Sequence, residues 1–234
     1  MVMSGYLEAP LRNDLLLEDK TVVFSTGAAL QATTGSKLYS EEQWLFWAQK
    51  LQKTLHEARY EHCVRVAGEA ACLAGSFGLD KTRACLAGLL HDVARDICFE
   101  TLFAYAERYN IMVGPEERSN PIILHADVGA ALLRHEWAID DEEVLKAIAL
   151  HTVASPNMDN FCQVIYLADI IEPGRQEWPG LQELRKLSYE NLDQAMLWSL
   201  QESFAYLKEC GTFIHPRAQA AYDYLIRKLK AGKC

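Results

Sequence analysis

From Ser40 onward, apolar residues recur at three- and four-residue steps, the period of helices that bury one face. Trp44, Leu45, Trp47, Ala48 and Leu51 mark the first helix, and Ser40 with Gln43 has the spacing of a capping box at its start. A second helix contains His62, Val64, Ala67, Ala71 and Ala74 and ends near Gly75 and Gly78; its small residues predict close approach of a neighbour. Asp80 is the expected N-cap of a third, which runs through the apolar stretch 84–90 into the adjacent pair His91-Asp92. Phe99 to Tyr109 forms a fourth, ended by Gly114-Pro115.

The same period continues downstream. His125 opens a helix with Val128, Gly129, Leu132 and Leu133, and Asp140 with Glu143 is expected to cap the next, where Val144, Leu145, Ile148 and His151 share a face. Ser155-Pro156-Asn157 turns the chain into 161–171, a run so apolar that Asp169 within it is expected to be buried, and Pro173-Gly174 stops it. Amphipathic stretches at 181–187, 192–207 and 218–229 complete the chain. Only Thr21-Val22-Val23-Phe24 reads as strand-like. The pattern therefore predicts an all-α bundle, with residues 1–38 a poorly specified extension and 39–234 one domain.

Composition narrows the partners. A net charge of −9 argues against a nucleic-acid polymer or an anionic membrane, so any phosphate substrate must be met by local cations. No apolar run approaches the roughly 20 residues needed to cross a bilayer, and the seven cysteines are odd in number and lack a CxxC. They are expected to be small buried hydrophobes in a reducing cytoplasm.

Against this background, His62, His91, Asp92, His125, His151 and Asp169 stand out, each on or at the end of an apolar helix. Buried imidazoles and carboxylates are costly unless something pairs or coordinates them. His56 and His135 have charged neighbours on solvent faces, and His215 precedes Pro216 in a loop, so these three stay outside the set. Imidazoles and carboxylates without a thiolate favour Fe, Mn, Zn or Co over calcium or a zinc–thiolate site. Six side chains exceed what one tetrahedral ion needs, and suit two ions sharing a carboxylate. Such a pair lowers the pKa of a bound water from 15.7 to about 7 and clamps a phosphoryl group.

The order and spacing of these six residues resemble the HD superfamily of metal-dependent phosphohydrolases. More narrowly, the stretch 87–92 ending in His91-Asp92, His125 followed by Gly129-Ala130, Ala147-Ile148 leading to His151-Thr152, and 168–175 with Asp169, Glu172 and Arg175 are similar to the bacterial symmetrical bis(5′-nucleosyl)-tetraphosphatase family. The resemblance covers about residues 45–230. It implies an HD-domain helical bundle with a di-iron-type centre that cleaves diadenosine tetraphosphate into two ADP by way of a hydroxide between the ions. It also assigns His62, His91, Asp92 and Asp169 to one ion, with Asp92 bridging to a second held by His125 and His151. Arg95 stands where many HD proteins have a lysine.

Two cations lie close in sequence to these ligands, Arg95 and Arg175, and either would stabilise charge on a phosphoryl group or pair with Asp96 or Glu172 instead. Glu172 is expected to orient a ligating histidine or Arg175, and Thr152 either touches substrate or caps its turn. Trp137 and Trp178 are assigned to packing rather than to stacking on a base. Other readings are hydrolysis of dNTPs, nucleoside monophosphates or alarmones, and nucleotide sensing without turnover. Oligomeric state is open, a homodimer included.

Overall fold

Ser40 starts the first helix through both halves of a capping box: its hydroxyl accepts from Gln43 N–H at 3.2 Å, and the Gln43 side chain accepts from Ser40 N–H at 2.9 Å. The structure is a computed structural model describing residues 15–18, 21–24 and 39–231. Among the described residues eleven helices follow one another: α1 Glu41–Thr54, α2 Glu57–Ser76, α3 Lys81–Leu90, α4 Phe99–Arg108, α5 Pro115–Ser119, α6 Leu124–Glu136, α7 Glu142–Leu150, α8 Asn160–Ile171, α9 Leu181–Glu190, α10 Leu192–Glu209 and α11 Pro216–Ala231. A 3₁₀ turn, Pro121–Ile123, leads into α6. The fold is all-α, as the periodicity predicts. The strand-like 21–24 pairs antiparallel with Leu15–Glu18, Leu16 opposite Val23, in a two-stranded hairpin. The other residues of the 1–38 extension lie outside the described residues.

The scaffold of the later site is built around α8. The apolar run of α8 has Phe161 to Ala168 buried without interruption, as a helix does when it is surrounded. Helices α2, α3 and α7 pack around it, and α6 packs on α7. The small residues of α2 act as anticipated: Gly88 of α3 lies against the backbone of Val66 and Ala67, where a Cβ would come within 2.9 Å of Ala67 Cα and of the Val66 carbonyl. Leu86, Leu90, Leu133, Ile148, Ile165 and Leu167 are fully buried in the core so formed, each contributing about 1.5–3 kcal/mol. Helices α9 and α11 pack on α10, which packs on α8. No helix among the described residues is long and apolar enough to cross a membrane.

The cap of α7 differs from the expectation. Asp141, not Asp140, is the N-cap: its carboxylate accepts from the N–H groups of Glu143 and Val144, both at 3.2 Å. Two acidic residues in a row leave the sequence ambiguous, and the tertiary structure decides between them. Arg83 of α3 donates through Nε to Asp141 at 2.8 Å and also contacts it through Nη2, while the Tyr39 hydroxyl donates at 3.0 Å. One buried carboxylate thus ties the entry of α1, α3 and α7 together. Burial works to raise its pKa, but Arg83, the Val144 N–H and Tyr39 outweigh it and hold it below the usual carboxylate value. Because the folded pKa is depressed, this stabilisation is complete above the ordinary carboxylate pKa and is lost as pH falls through the folded value. We expect Asp141→Asn to destabilise the protein by about 2 kcal/mol at neutral pH. The difference from wild type should shrink in urea titrations carried out at decreasing pH below about 4.

Among the described residues no cysteine forms a disulfide, and Cys63, Cys85 and Cys162 are buried. Cys72, Cys98 and Cys210 are exposed, against the expectation of uniform burial, because each lies at an outward position on or next to a helix. Cys234 lies outside the described residues. Trp137 is buried, with the Lys50 ammonium 4.5 Å from its ring centre, which suits packing.

Candidate metal centre

Three histidines are oriented by one local device. His91 ends α3, His125 is the second residue of α6 and His151 ends α7. In each, Nδ1 lies against the carbonyl three residues earlier: Gly88 at 2.8 Å, Ile148 at 2.7 Å, and Ile122 in close contact. A carbonyl only accepts, so Nδ1 carries the proton and Nε2 is left with a lone pair. His62, on the inner face of α2, directs Nδ1 to the Glu172 carboxylate at 3.1 Å, with the same consequence.

The Nε2 atoms converge on two carboxylates. Asp92 Oδ1 is 3.1 Å from His125 Nε2 and 3.6 Å from His151 Nε2, while its Oδ2 is 3.3 Å from His91 Nε2 and 3.9 Å from His62 Nε2. Asp169 Oδ1 lies 3.0 Å from His62 Nε2 and 3.8 Å from His91 Nε2. The ligand atoms of His62, His91 and Asp92 lie within 4.8 Å of one another, as do those of His91, His151 and Asp169 and those of Asp92, His125 and His151. Each oxygen of Asp92 thus faces its own pair of imidazoles. His62 Nε2 and His91 Nε2 are buried without a hydrogen-bond partner. Orphaned lone pairs facing carboxylates are what a cation resolves, so the donor set fits a metal ion.

Charge distribution agrees. Burial disfavours the Asp92 carboxylate, yet His91, His125 and His151 hold its pKa well below the usual range. Burial also opposes ionised Asp169, and His62, His91 and Arg175 overcome it. Glu172 is held down to about 2 against burial by His62, Arg65 and the Gly174 N–H. Against burial, His62 is raised by Asp169 and Glu172, and His91 by Asp92 and Asp169; His125 is lowered, chiefly by burial.

The HD domain family model matches residues 59–174, from Arg59 just before His62 to just past Asp169. The chain is 34% identical over 182 residues to a symmetrical bis(5′-nucleosyl)-tetraphosphatase of Bacillus subtilis (strain 168), spanning 75% of this chain and 94% of that one. It is 38% identical over 144 residues to the protein of that name from Staphylococcus aureus (strain NCTC 8325 / PS 47), spanning 61% of this chain and 73% of the relative. This chain belongs to the symmetrical bis(5′-nucleosyl)-tetraphosphatase family. A crystal structure described as a predicted HD superfamily hydrolase involved in NAD metabolism, from Clostridium acetobutylicum, superposes with a TM-score of 0.77 at 35% identity, covering 82% of this chain and all of that one.

Within this tetraphosphatase-family site, the remaining expected residues are distributed unevenly. Arg175 donates through Nε to the Asp169 carbonyl at 2.7 Å and contacts the Asp169 carboxylate, rather than pairing with Glu172. Glu172 instead receives His62, Arg65 at 2.8 Å and the Gly174 N–H. The Thr152 hydroxyl lies 3.0 Å from His151 Nε2 and 3.2 Å from His125 Nε2, at the mouth of that histidine pair. Arg95 is half-buried and makes no ion pair among the described residues; Asp96 accepts from the His56 backbone instead. The Asp169 side chain is 20% exposed rather than fully buried, and it sits two residues before the end of α8.

Sequence reasoning missed Arg59, which donates to Asp92 Oδ2 at 2.9 Å, and Arg65. Both were within reach of the pattern: positions 59, 62 and 65 fall three apart on α2 and share one helical face. The excluded histidines do lie elsewhere: His56 and His135 are exposed, and His215 bonds Glu117 at 3.0 Å.

Proposed function

We propose that the chain hydrolyses diadenosine tetraphosphate symmetrically to two ADP at this centre. The observation that carries the reading is the division of Asp92, one carboxylate oxygen toward His62 and His91 and the other toward His125 and His151. His62, His91, Asp92 and Asp169 would hold one divalent transition-metal ion and Asp92, His125 and His151 a second. Iron is the favoured identity, with Mn, Co or Zn as substitutes. Bound there, the ions supply Lewis acidity and an activated water.

The chain's own groups do the rest. The carbonyls of Gly88, Ile122 and Ile148 and the Glu172 carboxylate fix each imidazole so that no ligand has to reorient. Arg175, spanning the Asp169 carbonyl and carboxylate, offers the rest of its guanidinium to phosphate oxygens, and Arg95 supplies a second cation from the turn after Asp92. The Thr152 hydroxyl, beside both His125 and His151, serves as a hydrogen-bonding group for substrate at that edge.

Chromatography of the products formed from diadenosine tetraphosphate with Fe, Mn or Co tests the reading. ADP alone is the expected result; ATP with AMP, or turnover of other nucleotides only, would refute it. Glu172→Gln probes the orienting role. It keeps the volume but weakens the hold on His62 and Arg65, and metal affinity is expected to fall about 10- to 100-fold in a chelator competition assay.

A further inference from the structure

Beside the metal centre, on the outer side of His62, lies an open groove of about 370 Å³ whose walls carry Arg59, Arg65 and Arg175 together with Glu172 and Gly174. Three guanidinium groups meet in this one groove, with Asp96 also on its wall, although the chain as a whole carries a net charge of −9. About a third of each side chain is open to solvent.

Each arginine is held by a carboxylate and keeps donors to spare. Arg59 uses Nη1 on Asp92; Arg65 uses Nε and Nη2 on Glu172; Arg175 uses Nε and Nη2 on Asp169. Their other N–H groups make no hydrogen bond among the described residues. Asp92 and Asp169 belong to the cluster that would take metal ions, so a loaded centre draws their charge inward and leaves Arg59 and Arg175 free to accept another anion. Arg65 differs, because Glu172 is outside that cluster and anchors it in either state. It lies flat over Gly174, where a Cβ would come within 2.6 Å of the Arg65 guanidinium carbon, so the absence of a side chain at 174 is what lets the fork lie there.

We propose that this groove is the subsite for one nucleoside diphosphate half of the substrate, with Arg65 and Arg59 gripping its phosphates beyond those at the metal ions. The proposal rests on the tetraphosphatase reading of the centre and extends it to two residues outside the expected set. The volume is near the lower end of the ~300–1,000 Å³ typical of small-molecule sites, which suits one half of a dinucleotide rather than the whole. The Arg65 fork, which Glu172 holds in either state, is suited to phosphate oxygens, since little rotamer freedom remains to be lost on binding.

The test is ADP binding to the manganese-loaded full chain by calorimetry, with metal content measured on each sample. Arg65→Ala and Arg59→Ala are each expected to weaken ADP about 10- to 100-fold at unchanged metal content. Arg65→Lys should recover only part of the loss. Gly174→Ala, which keeps every cation but denies Arg65 its resting place, should weaken ADP in the same direction. Absence of ADP binding by wild type, wild-type affinity in both alanine variants, or losses that merely track lost metal would overturn the proposal. Arginine-dependent ADP binding without tetraphosphate cleavage would remove the tetraphosphatase reading and keep the groove; cleavage with arginine-independent ADP affinity would do the reverse.

Discussion

Asp92→Ala is expected to empty both metal positions and to lower turnover of diadenosine tetraphosphate by about 10³-fold or more, while leaving the fold intact. The carboxylate is 3% exposed and each of its oxygens faces a different histidine pair, so it would be the ligand common to both positions. Its removal also leaves Arg59 without its partner and brings four imidazoles together with less negative charge between them. The helices that carry the histidines are held by α2–α3 and α7–α8 packing, none of which uses Asp92, so far-UV circular dichroism should be unchanged. Metal analysis and product formation measured on one sample check the expectation. Retention of one ion per chain with normal cleavage would contradict the bridging role. His91→Ala should affect the first position alone, and comparison of the two variants distinguishes a shared ligand from a private one.

What the sequence revealed and what it hid follow from the range of the interactions. The helices were legible because their period and caps are local: Ser40 with Gln43 and Asp80 with the N–H groups of Thr82 and Arg83 are contacts within three residues. The chemical type of the centre was legible for a related reason, since imidazoles and carboxylates within apolar helical runs require a partner wherever the runs pack. Asp141 was missed in favour of Asp140 because the deciding contact comes from Arg83, 58 positions away. Arg65 shares a helical face with His62, a local signal, but its role depends on Glu172, 107 positions away, and on the bare backbone of Gly174. Cations around a site are harder to read than ligands: an arginine is at home on almost any surface, so its type alone carries little information.

Gly88→Ala is expected to destabilise the protein strongly, because the added methyl meets backbone rather than a side chain that can yield. The new Cβ would sit 2.9 Å from both Ala67 Cα and the Val66 carbonyl oxygen, and these are backbone atoms of α2 that cannot rotate away. Helix α3 must therefore move outward from α2, opening the contact at Val66 and Ala67. Overpacking of this kind costs about 1–3 kcal/mol when side chains can yield, and backbone on both sides puts the expectation at or above the upper end of that range. The site feels the same displacement, because the Gly88 carbonyl holds His91 Nδ1 and α2 carries His62. The two histidines on the Asp92 Oδ2 side would separate while His125 and His151, held by α6 and α7, stay in register. Urea unfolding should show the loss of stability, and metal titration of the folded variant should show weakened uptake of one ion with the other retained. Equal weakening of both would mean that α3 and α7 move as one body rather than α3 moving alone.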